Sequence, residues 1–351
     1  MTTSFMLVVA SLSLFLLWME RSESSQPRRY AHPSNKVFPN AECQGYGVSM
    51  KKESQTESTK RQTMKKLLRI HQSSEMHWVG NGFPVRSVFD YNGLGRELSP
   101  FLLLDYAAPH QFPPGKERRG VGGHPHKGFE TVTVAYQGEL EHRDSSGGGG
   151  KIGAGDVQWM TAGNGIVHEE FHSADFTRKG GPLQMVQLWV NLRAKDKTAK
   201  PGYQTLLKPQ IPNVALPDDA GNVRVIAGEY DGRKGAAKTF TPINLWDVNL
   251  RAGKSAELPM PNGHTTAFLV LSGTVIVNGE REAGESELGI FARTGESIAI
   301  EAKADTNLLV MDGEPFAEPV VGHGPFVMNS RAEIQQAFED YQLGRMGELS
   351  A

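Results

Sequence analysis

Four side chains of metal-ligand type occur in two short pairs along this chain. His124 and His126 flank a proline, and His168 and Glu170 follow about forty residues later. Within each pair one residue intervenes, and alternate residues of a β-strand project from the same face. Two such strands could therefore bring three imidazoles and one carboxylate to a single divalent cation. This donor set contains no thiolate, and it suits Fe(II), Mn, Co, Ni and Cu as well as Zn.

The residues after the first pair predict a strand that ends at a glycine turn. Residues 131–136 are rich in β-branched side chains, and Gly138 interrupts them. If the strand is regular, Glu130 shares the parity of the two histidines and faces the same cavity. Glu130 could then be a ligand that competes with Glu170, a partner that orients an imidazole, or a buried carboxylate with a local hydrogen bond. We favour the orienting partner.

Several segments of the chain resemble the pirin family of the cupin superfamily. The His-x-His pair followed by Glu130 and Gly138 is similar to the first cupin motif. The segments that resemble pirins specifically are residues 124–132, 155–163, 165–170, 187–192 and 323–329. They lie in order within residues 77–345, which is about three quarters of the chain.

This resemblance implies a fold and a ligand set. The fold is an all-β bicupin, with two antiparallel β-barrel (double-stranded β-helix) domains and a C-terminal helix. Pirins hold one iron in the N-terminal barrel through three histidines and one glutamate. On the matching positions of this sequence, the ligands are His124, His126, His168 and Glu170. The family commonly has another residue at the position of Glu169, which we expect to point away from the metal.

The resemblance also implies two alternative functions. Pirin-like quercetin 2,3-dioxygenases open a flavonol ring with O2 and release carbon monoxide. This function predicts a small aromatic, flavonol-like substrate, an Fe(2+) cofactor, and Glu170 or Glu130 as the catalytic proton acceptor. Other pirins are iron-containing regulators that bind protein partners, with the redox state of the metal as the switch. The ligands are the same in both, so the sequence leaves the choice open, and we favour the dioxygenase.

The sequence leaves open two further interpretations of the region around the predicted metal ligands. Phe129, Trp159 and Met160 could form the apolar walls of a pocket for a flat polyphenol, although barrel cores ordinarily contain such side chains. A cupin isomerase or sugar-binding module would instead require several convergent Arg and Lys side chains. Lys127 and Arg143 are the candidates for that role, and they make a weak case.

The length and composition fit two β-rich domains. The chain has 351 residues with 39 glycines and 20 prolines, which favours many turns over a helical bundle. The strand pattern of residues 76–200 recurs without metal ligands in residues 222–345, and residues 201–221 are the expected linker. His264 is a lone histidine of the second block, and we interpret it as a surface or packing residue.

The end of the chain carries the signals of one helix. Ser330 and Glu333 have the spacing of a capping box, in which each side chain hydrogen-bonds the other residue's backbone N–H. An amphipathic pattern follows, and Gly344 is a plausible stop. We expect this helix to pack against a barrel.

The N-terminal residues 1–75 are expected to be a disordered or misassigned extension with an apolar leader. Residues 5–19 form an apolar run of fifteen residues, whereas a bilayer span needs about twenty. No Lys or Arg precedes this run, so we favour an internal start and a cytoplasmic protein, and a signal peptide stays the alternative. The net charge of −2 gives no case for nucleic acid or membrane binding. The single Cys43 excludes an intrachain disulfide.

Overall fold

The computed structural model describes residues 64–349. The apolar leader and Cys43 lie outside these residues, so the expectations about them stay predictions. Within residues 64–349, no helix combines the length and the hydrophobicity that a membrane crossing requires.

The described chain is built mainly of short strands. The strands of its first half are β1 (Leu67–Gln72), β2 (His77–Val79), β3 (Phe83–Phe89), β4 (Phe101–Phe112), β5 (Gly120–His126), β6 (Phe129–Gln137), β7 (Glu139–Asp144), β8 (Gly149–Gly153), β9 (Val157–Thr161), β10 (Ile166–His172), β11 (Gly181–Asn191), β12 (Gly202–Leu206) and β13 (Asn213–Ala215). The strands of its second half are β14 (Gly221–Ala227), β15 (Glu229–Tyr230), β16 (Arg233–Lys234), β17 (Ile243–Leu250), β18 (Ser255–Pro259), β19 (Thr265–Ser272), β20 (Thr274–Val277), β21 (Arg281–Gly284), β22 (Glu287–Phe291), β23 (Ser297–Ala302), β24 (Thr306–Gly313), β25 (Val321–His323) and β26 (Phe326–Met328). Two α-helices accompany them, α1 (Ala174–Lys179) and α2 (Arg331–Gln342).

The N-terminal domain consists of two antiparallel sheets that face each other. The larger sheet has the order β12-β9-β6-β11-β4-β3-β2, and the smaller has the order β5-β10-β7-β8. Their facing side chains form one buried apolar cluster, which includes Val85, Ala135, Leu140, Ile152, Leu183 and Met185. Because strand residues alternate between faces, each strand can place its other residues outside this core.

The C-terminal domain repeats this plan. Its larger sheet has the order β1-β22-β19-β24-β17-β14-β13, and its smaller sheet has the order β18-β23-β20-β21. The two larger sheets of the two domains pack against each other, through side chains such as Val132, Val186, Leu188, Leu269, Leu309 and Met311. The expected cupin-type, two-domain β fold is thus confirmed, and all the strand pairs within these sheets are antiparallel.

The expected start of the folded chain at residue 76 was wrong. Regular structure begins before residue 76, because β1 (Leu67–Gln72) pairs with β22 at the edge of the C-terminal sheet. Leu67 is buried in that domain's core, and the fully buried Lys65 donates hydrogen bonds to two backbone carbonyls there. Residues 201–221, the expected linker, contain one strand of each domain, since β12 joins the N-terminal sheet and β13 joins the C-terminal one.

The C-terminal helix is present at the expected place. The hydroxyl of Ser330 accepts a hydrogen bond from the backbone N–H of Glu333, as the capping pattern requires. Helix α2 packs through Ile334 and Ala337 against β26. Its Asp340 accepts a hydrogen bond from the buried Lys127 at 2.8 Å, so the helix is attached to the N-terminal domain beside the His124–His126 strand.

Candidate metal centre

Three of the sequence-predicted ligands converge because β5 and β10 are neighbouring antiparallel strands. In their register His168 lies opposite His124, and Ile166 lies opposite His126. The ring centroids are 4.2 Å apart for His124 and His168, 4.8 Å for His126 and His168, and 4.9 Å for His124 and His126. One nitrogen from each ring lies within 4.8 Å of the others, a spacing that can hold a metal ion.

Glu170 lies on the same face of β10 as His168, next to strand β7. Strand β10 also pairs with β7, and in that register Glu170 lies opposite His142. His142, His168 and Glu170 form a second group whose donor atoms lie within 4.8 Å of one another. His168 belongs to both groups, so the imidazole of His168 is the centre of the cluster. Glu170 falls in the second group, beside rather than among the His124 and His126 nitrogens.

The Glu170 carboxylate is held by side chains of the larger sheet. Its Oε1 accepts hydrogen bonds from Gln158 and, at 3.4 Å, from Thr133, whereas Oε2 lies 3.5 Å from Nε2 of Gln187. Burial raises the pKa of Glu170, and the electrostatic interaction with the neighbouring His142 ring and the two hydrogen bonds to Oε1 oppose this shift. Oε1 is therefore well occupied, and Oε2 is the oxygen available to a cation or a proton.

Burial keeps the three ligand histidines neutral. It lowers the pKa of His124 to about 4, and it lowers the pKa of His126 and His168 well below the ordinary value. Neutral imidazole is the form that binds metals. Nδ1 of His126 and Nε2 of His168 are buried without a hydrogen-bond partner among the described residues. Such orphaned nitrogens are costly unless something fills the site, so the donor set fits a resident metal ion.

A hydrogen-bond chain assigns the protons of two of these rings. Oδ2 of Asp144 lies 3.1 Å from Nε2 of His142, and Nδ1 of His142 lies 3.3 Å from Nδ1 of His168. Burial raises the pKa of Asp144, but hydrogen bonds from His142, Ser146 and Gly148 outweigh it and hold the pKa below its ordinary value. The ionised Asp144 can only accept, so Nε2 of His142 carries the proton and its Nδ1 accepts from Nδ1–H of His168. This leaves the lone pair of His168 on Nε2, the orphaned nitrogen.

His142 and Asp144 are the site residues that sequence reasoning missed. Both are buried, and the His142 ring stacks on Tyr203 at a centroid distance of 4.6 Å. The sequence did carry a signal, because His142 and Asp144 have the same one-residue spacing as the ligand pairs. They lie on the strand that returns from the His-x-His hairpin, so a search for paired polar residues along that strand would have found them.

Glu130 does not face the histidines, and the parity argument for it was wrong. His126 ends β5 in the smaller sheet, whereas Glu130 lies in β6 of the larger sheet, so the strand is not continuous. The chain turns at Gly128, whose φ is +92° and where a Cβ would lie 2.1 Å from the carbonyl oxygen of Val327. Glu130 instead accepts a hydrogen bond from Thr161 at 2.7 Å. Burial raises the pKa of Glu130 to about 7, against the effect of that hydrogen bond.

The other residues named from the sequence are divided between the two faces of the sheets. Glu169 points away from the histidines, as expected, and accepts from Arg143 at 2.6 Å. The Phe129 ring lies 5.3 Å from that of His126, so it borders the site. Trp159 belongs instead to the buried cluster between the two domains, and Met160 packs with other apolar side chains of its own domain.

Comparison with known proteins agrees with this architecture. The family model described as Pirin matches residues 82–190, and the model described as Pirin C-terminal cupin domain matches residues 245–347. The chain is 57% identical over 282 residues to "Putative quercetin 2,3-dioxygenase PA2418" of Pseudomonas aeruginosa, which covers 80% of this chain and 98% of that protein. It is 38% identical over 257 residues to "Pirin" of Homo sapiens, which covers 72% of this chain and 84% of that protein.

A solved structure shows the same fold along the described chain. The crystal structure of quercetin 2,3-dioxygenase from Acinetobacter baumannii matches with a TM-score of 0.79 and 53% sequence identity, over 81% of this chain and 99% of that one. The family models, the relatives and the solved structure identify the same family. This chain belongs to the pirin family of two-domain cupin proteins.

Proposed function

We propose that this protein is a metal-dependent dioxygenase that cleaves flavonols such as quercetin with O2, and that its resident metal is iron. The observation that carries the proposal is the cluster of three neutral imidazoles with a carboxylate at its side. The relative at 57% identity and the solved structure at 53% identity, both named for quercetin 2,3-dioxygenase, support the choice of reaction.

The residues that would hold the metal are His124, His126, His168 and Glu170. When bound there, a divalent iron supplies a Lewis acid that lowers the pKa of a bound hydroxyl group and a redox centre for O2 chemistry. The chain's own contribution begins with placement. The Asp144–His142 pair holds the His168 ring in the tautomer that leaves Nε2 free, and the carbonyl of Gly122 accepts from Nδ1 of His124 at 2.9 Å, which frees the Nε2 of that ring.

Glu170 is the residue that we assign to proton transfer. Cleavage of a flavonol requires that its 3-hydroxyl group lose a proton, and Oε2 of Glu170 is the available acceptor. Gln158 and Thr133 hold the other oxygen, so the carboxylate keeps its orientation while Oε2 accepts the proton.

The surroundings of the site fit a flat aromatic substrate that enters from one side. His124 and Glu170 are half-buried, whereas His126 and His168 are buried, so the cluster is open on the His124 side. Next to His126, Phe129 stacks on Trp189 with a centroid distance of 4.3 Å. These two rings form an apolar wall that excludes water from one side of the metal position.

The test is an oxygen-uptake assay with quercetin on the iron-loaded protein. We expect O2 consumption that depends on the metal and stops in His126→Gln, which loses an imidazole and keeps the fold. Full iron occupancy without consumption of O2 would contradict the proposal. That result, together with a protein partner that dissociates on removal of the iron, would assign the chain to the regulatory members of its family.

A further inference from the structure

Tyr203 lies beside the metal centre but comes from a strand that carries none of the metal ligands. It belongs to β12, which pairs with β9 at the edge of the larger N-terminal sheet, and in that register Tyr203 lies opposite Met160. Its side chain packs against the small buried cluster that contains Met160 and Ile166. The proposed reaction gives this tyrosine no role, yet its contacts are with the residues that support the site.

The Tyr203 ring lies nearly flat against the ring of His142. The two centroids are 4.6 Å apart, and the planes differ by 15°. Asp144 holds Nε2 of His142 at 3.1 Å, but a single hydrogen bond fixes one atom of a ring and not its plane. The stacked phenol restricts the plane. It therefore sets the direction in which Nδ1 of His142 faces Nδ1 of His168, which is 3.3 Å away.

The hydroxyl of the same tyrosine reaches the residue that holds Glu170. It donates to Oε1 of Gln158 at 3.4 Å, which is a long hydrogen bond, and Nε2 of Gln158 donates to Oε1 of Glu170. Burial raises the pKa of Tyr203 to about 12, against the effect of a hydrogen bond from Thr205, so the hydroxyl keeps its proton. Tyr203 thus contacts the support of His168 and, more weakly, the support of Glu170.

The glycine run of residues 147–150 makes room for the Tyr203 side chain. A Cβ on Gly148 would lie 2.8 Å from Cβ of Tyr203 and 2.5 Å from Oδ2 of Asp144, and both distances are shorter than real side chains allow. A Cβ on Gly150 would lie 3.4 Å from the Tyr203 hydroxyl. The run therefore lets the main chain pass close to both residues that hold His142.

Strand β12 is itself held by both domains. Gln204 forms two hydrogen bonds of 2.9 Å with the backbone N–H and carbonyl of Lys238, which lies in the C-terminal domain. Leu206 is buried in the apolar cluster between the two domains. Because strand residues alternate between faces, Gln204 and Leu206 contact the second domain while Tyr203 faces His142. The second domain therefore helps to fix the strand that carries Tyr203.

We propose that Tyr203 is a positioning residue of the metal centre. Its ring fixes the plane of His142, which directs the Nδ1–H of His168 and leaves Nε2 of His168 for the metal. This role rests on the proposed metal centre but not on the proposed reaction, because metal binding requires neither a flavonol nor O2.

The test is an anaerobic titration in which the protein and a chelator compete for Fe(II). The contact between two stacked rings corresponds to about a two- to tenfold change in an equilibrium constant, and we expect Tyr203→Leu to weaken Fe(II) binding by a factor in this range. Tyr203→Phe keeps the ring and loses only the long hydrogen bond, so its Fe(II) affinity should stay within about twofold of the wild-type value. Where Tyr203→Leu is insoluble, Tyr203→Met takes its place.

Two more variants separate positioning from general stability. His142→Phe keeps a ring against Tyr203 but has no nitrogen for His168, so adding Tyr203→Leu to it should not weaken Fe(II) binding further. Tyr230→Leu is the matched control, because Tyr230 packs against Trp246 in the C-terminal domain with a centroid distance of 5.1 Å. We expect the control to lower the melting temperature and to leave the Fe(II) affinity unchanged.

Four results would each overturn the role of Tyr203. They are wild-type Fe(II) affinity in Tyr203→Leu, a loss in Tyr203→Phe as large as in Tyr203→Leu, an undiminished effect of Tyr203→Leu in the His142→Phe background, and an equal loss of affinity in Tyr230→Leu. The titration contains no substrate, so failure of this role and failure of the dioxygenase proposal give separate results.

Discussion

Replacing Asp144 by Asn should weaken metal binding without touching a metal ligand. Oδ1 of Asp144 accepts from the backbone N–H groups of Ser146 at 2.8 Å and Gly148 at 3.0 Å, and an asparagine Oδ1 can do the same. Oδ2 becomes an amide NH2, which donates to Nε2 of His142 and moves the proton of that ring to Nδ1. Nδ1 of His142 then opposes the Nδ1–H of His168 at 3.3 Å. His168 relieves this clash by carrying its proton on Nε2, the nitrogen that the metal needs.

The expected size of this effect follows from the contact that is lost. A hydrogen bond to a charged group contributes about 1.5–3 kcal/mol. Since about 1.4 kcal/mol corresponds to a tenfold change in affinity, Asp144→Asn should weaken Fe(II) binding by about 10- to 100-fold. Replacement of the outer hydrogen-bond partner of a ligand histidine typically has an effect of the same size.

The assay is an anaerobic competition titration of Fe(II) between the protein and a chelator. Asp90→Asn is the matched control, because Oδ1 of Asp90 also accepts two backbone N–H groups in a turn, those of Asn92 at 2.7 Å and Gly93 at 2.9 Å, and no histidine of the described residues hydrogen-bonds to Asp90. We expect the control to bind Fe(II) like the wild-type protein. If Asp144→Asn binds Fe(II) as tightly as the control, the proposed role of Asp144 in setting the tautomer of His168 is wrong.

Three further predictions test the site and its support. Glu170→Gln should lower the iron content measured by elemental analysis, whereas Glu130→Gln should not, because Glu130 bonds to Thr161 instead; the opposite pattern would reverse our assignment. Burial lowers the pKa of His124 from 6.5 to about 4, so the unfolded chain binds more protons in this range. The free energy of unfolding that the metal-free protein loses between about pH 6.5 and about pH 4 should therefore be smaller in His124→Phe than in the wild-type protein; this comparison cancels the opposite effect of Glu130, and equal pH profiles of the two proteins in urea titrations would refute the argument. Lys197→Met should lower the free energy of unfolding by about 3 kcal/mol, because the buried ammonium donates to three oxygen atoms that would lose their donor; an unchanged urea midpoint would count against it.

The convergence of the histidines could be predicted from spacing alone. In a strand, residues two apart share a face, and this rule holds for His124 with His126 on β5 and for His168 with Glu170 on β10. The sequence also contained the local signals of helix α2, since a cap and an amphipathic stripe depend on neighbouring residues only. Local patterns of this kind do not depend on the tertiary fold, so the structure confirms the helix that they predict.

The features that were missed depend on tertiary structure. The parity of Glu130 failed because the chain changes sheets at Gly128, and no local pattern reveals which strands share a sheet. The sequence does not reveal strand β1, because its partner, β22, lies more than two hundred residues further along the chain. His142 and Asp144 have the spacing of a ligand pair in the sequence, but the contact of His142 with His168 depends on the pairing of β7 with β10.

The most direct test of the central claim is the coordination of iron in the loaded protein, determined by crystallography with anomalous scattering at the iron edge. Our account predicts one iron held by His124, His126, His168 and Glu170, with its remaining positions open to solvent. An iron that binds His142 in place of one of these residues would contradict the account. So would an ion enclosed by protein ligands on every side, since neither substrate nor O2 could then reach it.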